Sequence, residues 1–309
     1  MKILTEKIKY RARELGFEAC GITSADPFPE YLTAVRRLAD FTPAYKNLYL
    51  NLENKYDPKK SAPWARSIIV CIRSFTRYCF PPGLTNIIGR NYLADARFPG
   101  NPDYLMIKNM TDFLRSLGLQ VKKGGVPDRL SAVRSGIARM AKNTFIYTEK
   151  SGSWINPVTW RVNAELVPDQ PDNTSPCPEN CSLCRKNCPT GALGCDYTVY
   201  MEKCLSWINC HAPEPAADYL TMSMKNFIYG CDFCQTACPL NQAVPPGTEK
   251  IPGLDEIADH LRPEKIPALN EDFYKKHIYP RFWYIAENNL QRWKNNAAAT
   301  LTGRKIPDN

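Results

Sequence analysis

The chain has 309 residues, enough for one large domain or two ordinary ones, with 44% hydrophobic and 23% charged residues as in globular proteins. No apolar run of about eighteen residues offers a membrane span, and Met1 to Gly16 is charged throughout, unlike a signal peptide. The expected location is the cytoplasm, without a membrane partner; the formal charge of +9 includes no basic block of the kind that marks a nucleic-acid arm.

In chain order, residues 3–15 carry Leu4, Ile8, Ala12 and Leu15 at helical spacing, and Gly16 ends the helix. Phe17 to Ile22 reads as a short strand closed by the turn-prone Ser24-Ala25-Asp26-Pro27. Ser67 to Ile72 (SIIVCI) is the strongest strand signal, a β-branched run suited to burial on both faces. Residues 103–117 form a second helix with Met106, Met110, Phe113, Leu114 and Leu117 on one face and Gly118 as its stop. Leu119-Gln120-Val121 and Thr144 to Tyr147 read as further strands. The alternation predicts an α/β domain over residues 1–165. A Pro/Asp-rich linker at Val167 to Pro178 follows, then a cysteine-rich domain over residues 166–245. Residues 246–309 read as a helical C-terminal segment, with 250–302 helical and Arg292 to Leu301 as its last helix.

Ten of the thirteen cysteines fall between Cys177 and Cys238. A disulfide framework would spread its bridges along the chain, and the cytosol keeps thiols reduced, so the concentration points to metal. The first group is Cys177-x3-Cys181-x2-Cys184-x3-Cys188-Pro189; the second is Cys204, then Cys231-x2-Cys234-x3-Cys238-Pro239. Ferredoxin-like sequences use C-x2-C-x2-C-x3-C-P runs in which the fourth cysteine ligates the other of two [4Fe-4S] clusters. One cluster would therefore take Cys177, Cys181, Cys184 and Cys238, and the other Cys188, Cys204, Cys231 and Cys234. The x3 spacing from Cys177 to Cys181 departs from that pattern. Structural zinc is the rival reading, but it has no use for Pro189 and Pro239. With eight thiolates and two cores of about +2 each, the formal charge falls to roughly +5. Cys195 and Cys210 are read as buried thiols off the pattern, Cys20, Cys71 and Cys79 as core residues, and His211 as a loop histidine.

Several segments, taken in order, resemble the epoxyqueuosine reductase family, cobalamin-dependent iron–sulfur enzymes related to the reductive dehalogenases. They are Glu14-Leu15-Gly16-Phe17 with Gly21-Ile22-Thr23, Ala65-Arg66-Ser67-Ile68-Ile69, Ala132-Val133-Arg134-Ser135-Gly136, Lys142-Asn143-Thr144 and Gly152-Ser153-Trp154. Cys188-Pro189-Thr190-Gly191-Ala192 and Gly230-Cys231-Asp232-Phe233-Cys234-Gln235 continue the series, which spans residues 1–240. The resemblance implies a corrinoid-binding α/β domain followed by a ferredoxin-like double [4Fe-4S] domain and a short helical C-terminal segment. It implies cobalamin held by Arg134, Ser135, Gly136, Lys142, Asn143, Thr144, Gly152, Ser153 and Trp154, with the clusters passing electrons to cobalt. Each of these residues also has a plainer role open to it: an ion pair for Arg134, a loop end for Asn143-Thr144, a turn for Gly152-Ser153.

Two positions depart from the family pattern. Counted without gaps, the family's catalytic aspartate falls at about Lys122, within Val121-Lys122-Lys123-Gly124-Gly125, leaving Asp128 as the nearest acid, and the usual glycine before Lys142-Asn143 is Ala141. Tyr147 is a second candidate proton donor, set against the role of a half-buried strand tyrosine. The expected activity is reduction of a small molecule or modified nucleoside, with a ferredoxin- or flavodoxin-type low-potential donor as partner. The alternatives are an electron-transfer protein without corrinoid and an epoxyqueuosine reductase acting on tRNA. A flavin in place of the corrinoid is a further alternative, although no G-x-G-x-x-G fingerprint is present.

Overall fold

In the computed structural model, which describes residues 1–42, 45–212 and 226–303, the chain divides into two units. The first comprises Met1–Ser74 and Leu105–Glu179; the second comprises Phe75–Tyr104 and Asn180–Asn309. The excursion of Phe75–Tyr104 into the second unit differs from a serial cut near residue 165. No helix among the described residues is long and apolar enough to cross a membrane.

The first unit is built on α1 (Lys2–Glu14), β1 (Ala19–Ser24), α2 (Pro29–Phe41), α3 (Lys46–Leu52), β2 (Ser67–Ser74), α4 (Pro102–Ser116), β3 (Val121–Lys123), α5 (Asp128–Arg134), β4 (Arg139–Met140), β5 (Ile146–Tyr147) and β6 (Ile155–Val162). Gly16 and Gly118, at φ +94° and +75°, stop the two helices the periodicity predicts, because only glycine enters the left-handed region without strain. The strands form a four-stranded sheet in the order β1-β2-β6-β3, and every neighbouring pair runs antiparallel.

The β-branched run in β2 is buried on both faces. Ile69 and Cys71 join Ile8, Ala12, Met106, Met110, Leu114 and Trp160 under α1 and α4. Ile68, Val70 and Ile72 join Ala132, Val133, Ile146 and Ile155 on the other side. Trp160 turns its ring edge-on to Phe17 at 6.0 Å and donates its indole N–H to Thr111 Oγ1 at 2.9 Å, so its large apolar surface is buried without an orphaned donor.

Several expectations shift. The first strand begins at Ala19, and the third is Val121–Lys123 rather than residues 119–121. Thr144 to Tyr147 yields only the two-residue strand β5, because Thr144 occupies the turn of the β4–β5 hairpin at φ +67°. The Val167–Pro178 stretch is strapped to the first unit at its start. The Asp169 carboxylate accepts from Ile22 N at 2.8 Å and from Lys9 Nζ, and Val167 N donates to Thr5 Oγ1 at 3.1 Å. Residues 250–302 are helical mostly in short pieces, Asp255–Leu261, Ile266–Ala268 and Glu271–Ile278, with Pro252, Pro263 and Pro280 in the breaks around them, as proline lacks the amide a helix needs. Only Leu290–Gly303 is a sustained helix there.

Replacement of Ile69, fully buried between two layers, by alanine should lower stability by about 2–5 kcal/mol in thermal or urea unfolding; a change below about 0.5 kcal/mol would contradict this packing.

Candidate metal centre

The two cysteine runs fold into the same local structure. Cys184 lies in the turn Leu183–Lys186, and Cys234 in the turn Phe233–Thr236. The backbone bonds repeat: Asn187 N to Leu183 O and Ala237 N to Phe233 O; Cys188 N to Arg185 O and Cys238 N to Gln235 O; Gly191 N to Cys188 O and Asn241 N to Cys238 O. The proline after each run starts a new turn where its missing N–H costs nothing, most clearly Pro239 at the head of Pro239–Gln242.

Cys188, from the first run, is an electrostatic neighbour of Cys231 and Cys234 in the second, together with Cys204. Burial pushes the Cys231 and Cys234 thiols far up, and the nearby thiols and Asp232 push them further. The donor set is four sulfur atoms, two of them in a place where burial disfavours bare thiolates. Iron is the partner such a set fits, since thiolate ligation to a cluster supplies the positive charge that burial withholds. Among the described residues, no three Cys, His, Asp or Glu side chains are placed to hold a single metal ion. Cys181, Cys184 and Cys238 are half-buried within the second unit, while Cys177, also half-buried, belongs to the first.

The second run is braced by a segment that the sequence did not associate with it. Asp232, 2% exposed, accepts from Arg90 N at 2.9 Å and Arg90 Nη1 at 3.2 Å. Gly89 N donates to Tyr229 O at 2.9 Å, and a Cβ on Gly89 would lie 3.0 Å from Asp232 Oδ1 and 3.2 Å from Cys231 N. The long helix Leu290–Gly303 closes the other side: Asn296 Nδ2 donates to Asn209 O and Ile228 O, each at 2.9 Å, and Arg292 reaches the Ile208 and Ala212 carbonyls. No local pattern marks Gly89, Arg90 or Asn296 as supports, because each contact crosses tens of residues.

The other cysteines divide. Cys71 and Cys210 are buried, and burial raises the Cys210 thiol to about 12. Cys195 and Cys79 are exposed, contrary to the expectation of buried positions, and Cys20 is intermediate. His211 ends the helix Leu205–His211 instead of occupying a loop, its ring 4.6 Å from Trp207 and 5.3 Å from Tyr284.

The segments nominated for a corrinoid sit on α5, the β4–β5 hairpin and the turn before β6. Their side chains are engaged by the protein. Arg134 forms a two-pronged ion pair with Glu30 at 2.9 and 3.1 Å and stacks over Phe28 at 3.8 Å. Lys142 Nζ donates to the Glu179 carbonyl, and Ser135 Oγ to the Ala132 carbonyl at 3.1 Å. A Cβ on Gly136 would stand 2.1 Å from Gln170 O, so the chain itself covers that glycine. Asn143 donates to the Tyr147 hydroxyl at 3.0 Å and accepts from Phe145 N at 3.2 Å. Thr144 takes a backbone conformation that strains a β-branched residue, while Gly152 completes a bridge with Thr148. Ser153 and Trp154 are buried. As they stand, the side chains of Arg134, Ser135, Lys142 and Asn143 do not fit a corrin, because their hydrogen bonds are already made within the chain.

The two candidate acids differ. Tyr147 is buried, not half-exposed, with its hydroxyl on Asn143. Asp128 opens α5 and accepts from Thr159 Oγ1 at 2.5 Å; burial raises its carboxyl, against the pull of Lys55, Arg129 and Arg161. Burial, and then Asp128, push the Tyr31 hydroxyl to about 12.

Residues 177–241 match the family model for a 4Fe-4S double cluster binding domain. An epoxyqueuosine reductase from Cyclobacterium marinum is 26% identical across 95% of this chain and 98% of its own length. The enzyme of the same name from Bacillus subtilis is 27% identical over 88% of this chain and 73% of its own. The chain is similar to epoxyqueuosine reductases over nearly its whole length. Its fold agrees: the solved epoxyqueuosine reductase from Streptococcus thermophilus superposes with a TM-score of 0.77 at 23% identity, over 97% of this chain and 81% of that one. Two [4Fe-4S] clusters are thus the cofactors that this part of the chain is built to carry.

Replacing Cys231 by alanine should reduce bound iron from about eight to about four per chain, whereas Cys195→Ala should keep it all; equal retention in both would overturn the ligand assignment. Hydroxocobalamin offered to the folded chain should leave no cobalt behind after gel filtration, and stoichiometric retention would show that the hairpin can release its side chains to a corrin.

Proposed function

We propose that this chain is an iron–sulfur oxidoreductase that reduces a modified nucleoside, epoxyqueuosine in tRNA being the substrate its relatives' names supply. The observation that carries this reading is the near full-length match to epoxyqueuosine reductases, together with the grouping of Cys188, Cys204, Cys231 and Cys234. It moves the balance away from the broader expectation of an unidentified small molecule. An electron-transfer protein without a substrate would account for the cysteine domain alone and leave the match over the sheet domain unexplained.

The chemistry requires little of the protein beyond delivery. Removing an epoxide oxygen as water consumes two electrons and two protons, and each cluster passes one electron at a time. A low-potential ferredoxin or flavodoxin would be the source. The protons need a donor held near the substrate. Asp128, whose carboxyl is shifted toward its protonated form by burial, is the first candidate, and Tyr147 the second. Lys122, at the position the resemblance gives to a catalytic aspartate, cannot serve as that acid in the same way. Four of the side chains named for the corrinoid that the resemblance implies are engaged within the chain, so no step is routed through it.

Incubating the anaerobically reconstituted chain and a chemical reductant with epoxyqueuosine-containing tRNA should yield queuosine, as read by nucleoside mass spectrometry. Asp128→Asn should lower the rate by about 10²–10⁴ if its proton is used, without loss of iron. An intact, iron-loaded chain that leaves epoxyqueuosine unchanged would refute the substrate.

A further inference from the structure

The edge of the sheet carries an arrangement of charge that the cluster chemistry does not use. β3 pairs with β6 in a register that sets Lys122 opposite Arg161. Like charges facing each other across an antiparallel pair repel, yet here both converge on one residue. Lys122 Nζ donates to Ser61 O at 2.8 Å, while Arg161 Nη1 donates to Ser61 Oγ and to Pro58 O, each at 2.8 Å. The loop between those two acceptors is Lys59-Lys60, and Lys55 lies close enough to act on Asp128.

The turn after β3 is shaped around the guanidinium. Gly125 has φ +75°, and a Cβ there would lie 2.3 Å from Arg161 Nη2. Arg161 itself is 1% exposed, and its Nε, also buried, has no hydrogen-bond partner. A buried cation with an unmade bond holds the loop from beneath, while Lys55, Lys60 and Lys122 are exposed above it. The local acids only partly balance them. Asp57 Oδ1 is occupied by Lys59 N at 2.8 Å, Asp26 stands 3.9 Å from Lys59 Nζ, and Asp128 is held by Thr159. Lys60 Nζ donates to the neutral Asn54 Oδ1 at 2.6 Å.

We propose that the Lys59-Lys60 loop and Lys122 form a docking surface for the phosphate backbone of an RNA. The chemistry favours phosphate because the exposed heads are lysine ammoniums, compact point charges on flexible stems, which follow a phosphate chain without fixing its bases. This inference rests on the reading that the substrate nucleoside arrives within tRNA. Arg161 acts as a positioning residue that fixes the loop.

The test uses the full, iron-loaded chain and an unmodified tRNA transcript, with binding followed by fluorescence anisotropy at several salt concentrations. The logarithm of affinity should fall linearly with the logarithm of salt, and Lys122→Ala should reduce the slope by about 0.7–0.9. Lys59→Ala/Lys60→Ala should reduce it further, Lys122→Arg should restore it, and iron content should not change. Salt-dependent binding that neither alanine variant alters would overturn the surface while leaving the substrate reading intact. Reduced slopes without any conversion of epoxyqueuosine would refute the substrate reading and keep the surface. A wild-type chain with no salt-sensitive binding would overturn both.

Discussion

Burial of sulfur without compensating charge is the constraint on which the second unit depends. Cys231 and Cys234 lie where burial strongly opposes ionisation, and their near neighbours are Cys204, Cys188 and the carboxylate of Asp232. A protein that needed only packed thiols would not add an acid to that group. Cluster iron resolves the conflict, because it deprotonates the thiols and supplies the positive charge. The surrounding structure then has one task, to hold the sulfurs in place. Asp232 is tied to Arg90, the Gly89 backbone lies against Cys231, and the helix Leu290–Gly303 clamps the neighbouring turns through Arg292 and Asn296.

The first unit follows a different logic. Its central strand β2 is apolar on both faces, so helices must cover each side, and the edge strand β3 is left to polar residues. The corrinoid expectation and the observed contacts part company here. Arg134 turned out to make the plain ion pair with Glu30, and Gly136 is covered by its own chain. A segment can keep the residue types of a binding motif while the groups that would do the binding are redirected to neighbours.

The cysteine pattern was readable in the sequence because ligand spacing is a local property: a C-x2-C-x3-C-P run folds as one turn wherever it occurs, as the matching hydrogen bonds of the two runs show. The helices at residues 2–14 and 102–116 were readable for the same reason, since periodicity and a glycine stop act over a few residues. The role of Phe75–Tyr104 was not, because the Arg90–Asp232 pair joins positions 142 residues apart and leaves no local signature. The C-terminal segment misled in the opposite direction. Its composition suits a helix, but prolines divide it before Leu290. The exposure of Cys79 and Cys195 was likewise invisible, since cysteine packs equally well in either setting until its neighbours are known.

Reduction, substrate and donor all presuppose the two clusters, so iron stoichiometry with electron paramagnetic resonance of the reduced chain is the most direct test. Purification without air followed by reconstitution should give about eight irons per chain and a spectrum of two interacting [4Fe-4S]⁺ centres. About one zinc per chain with no iron-dependent signal, or a single cluster of about four irons, would contradict the account.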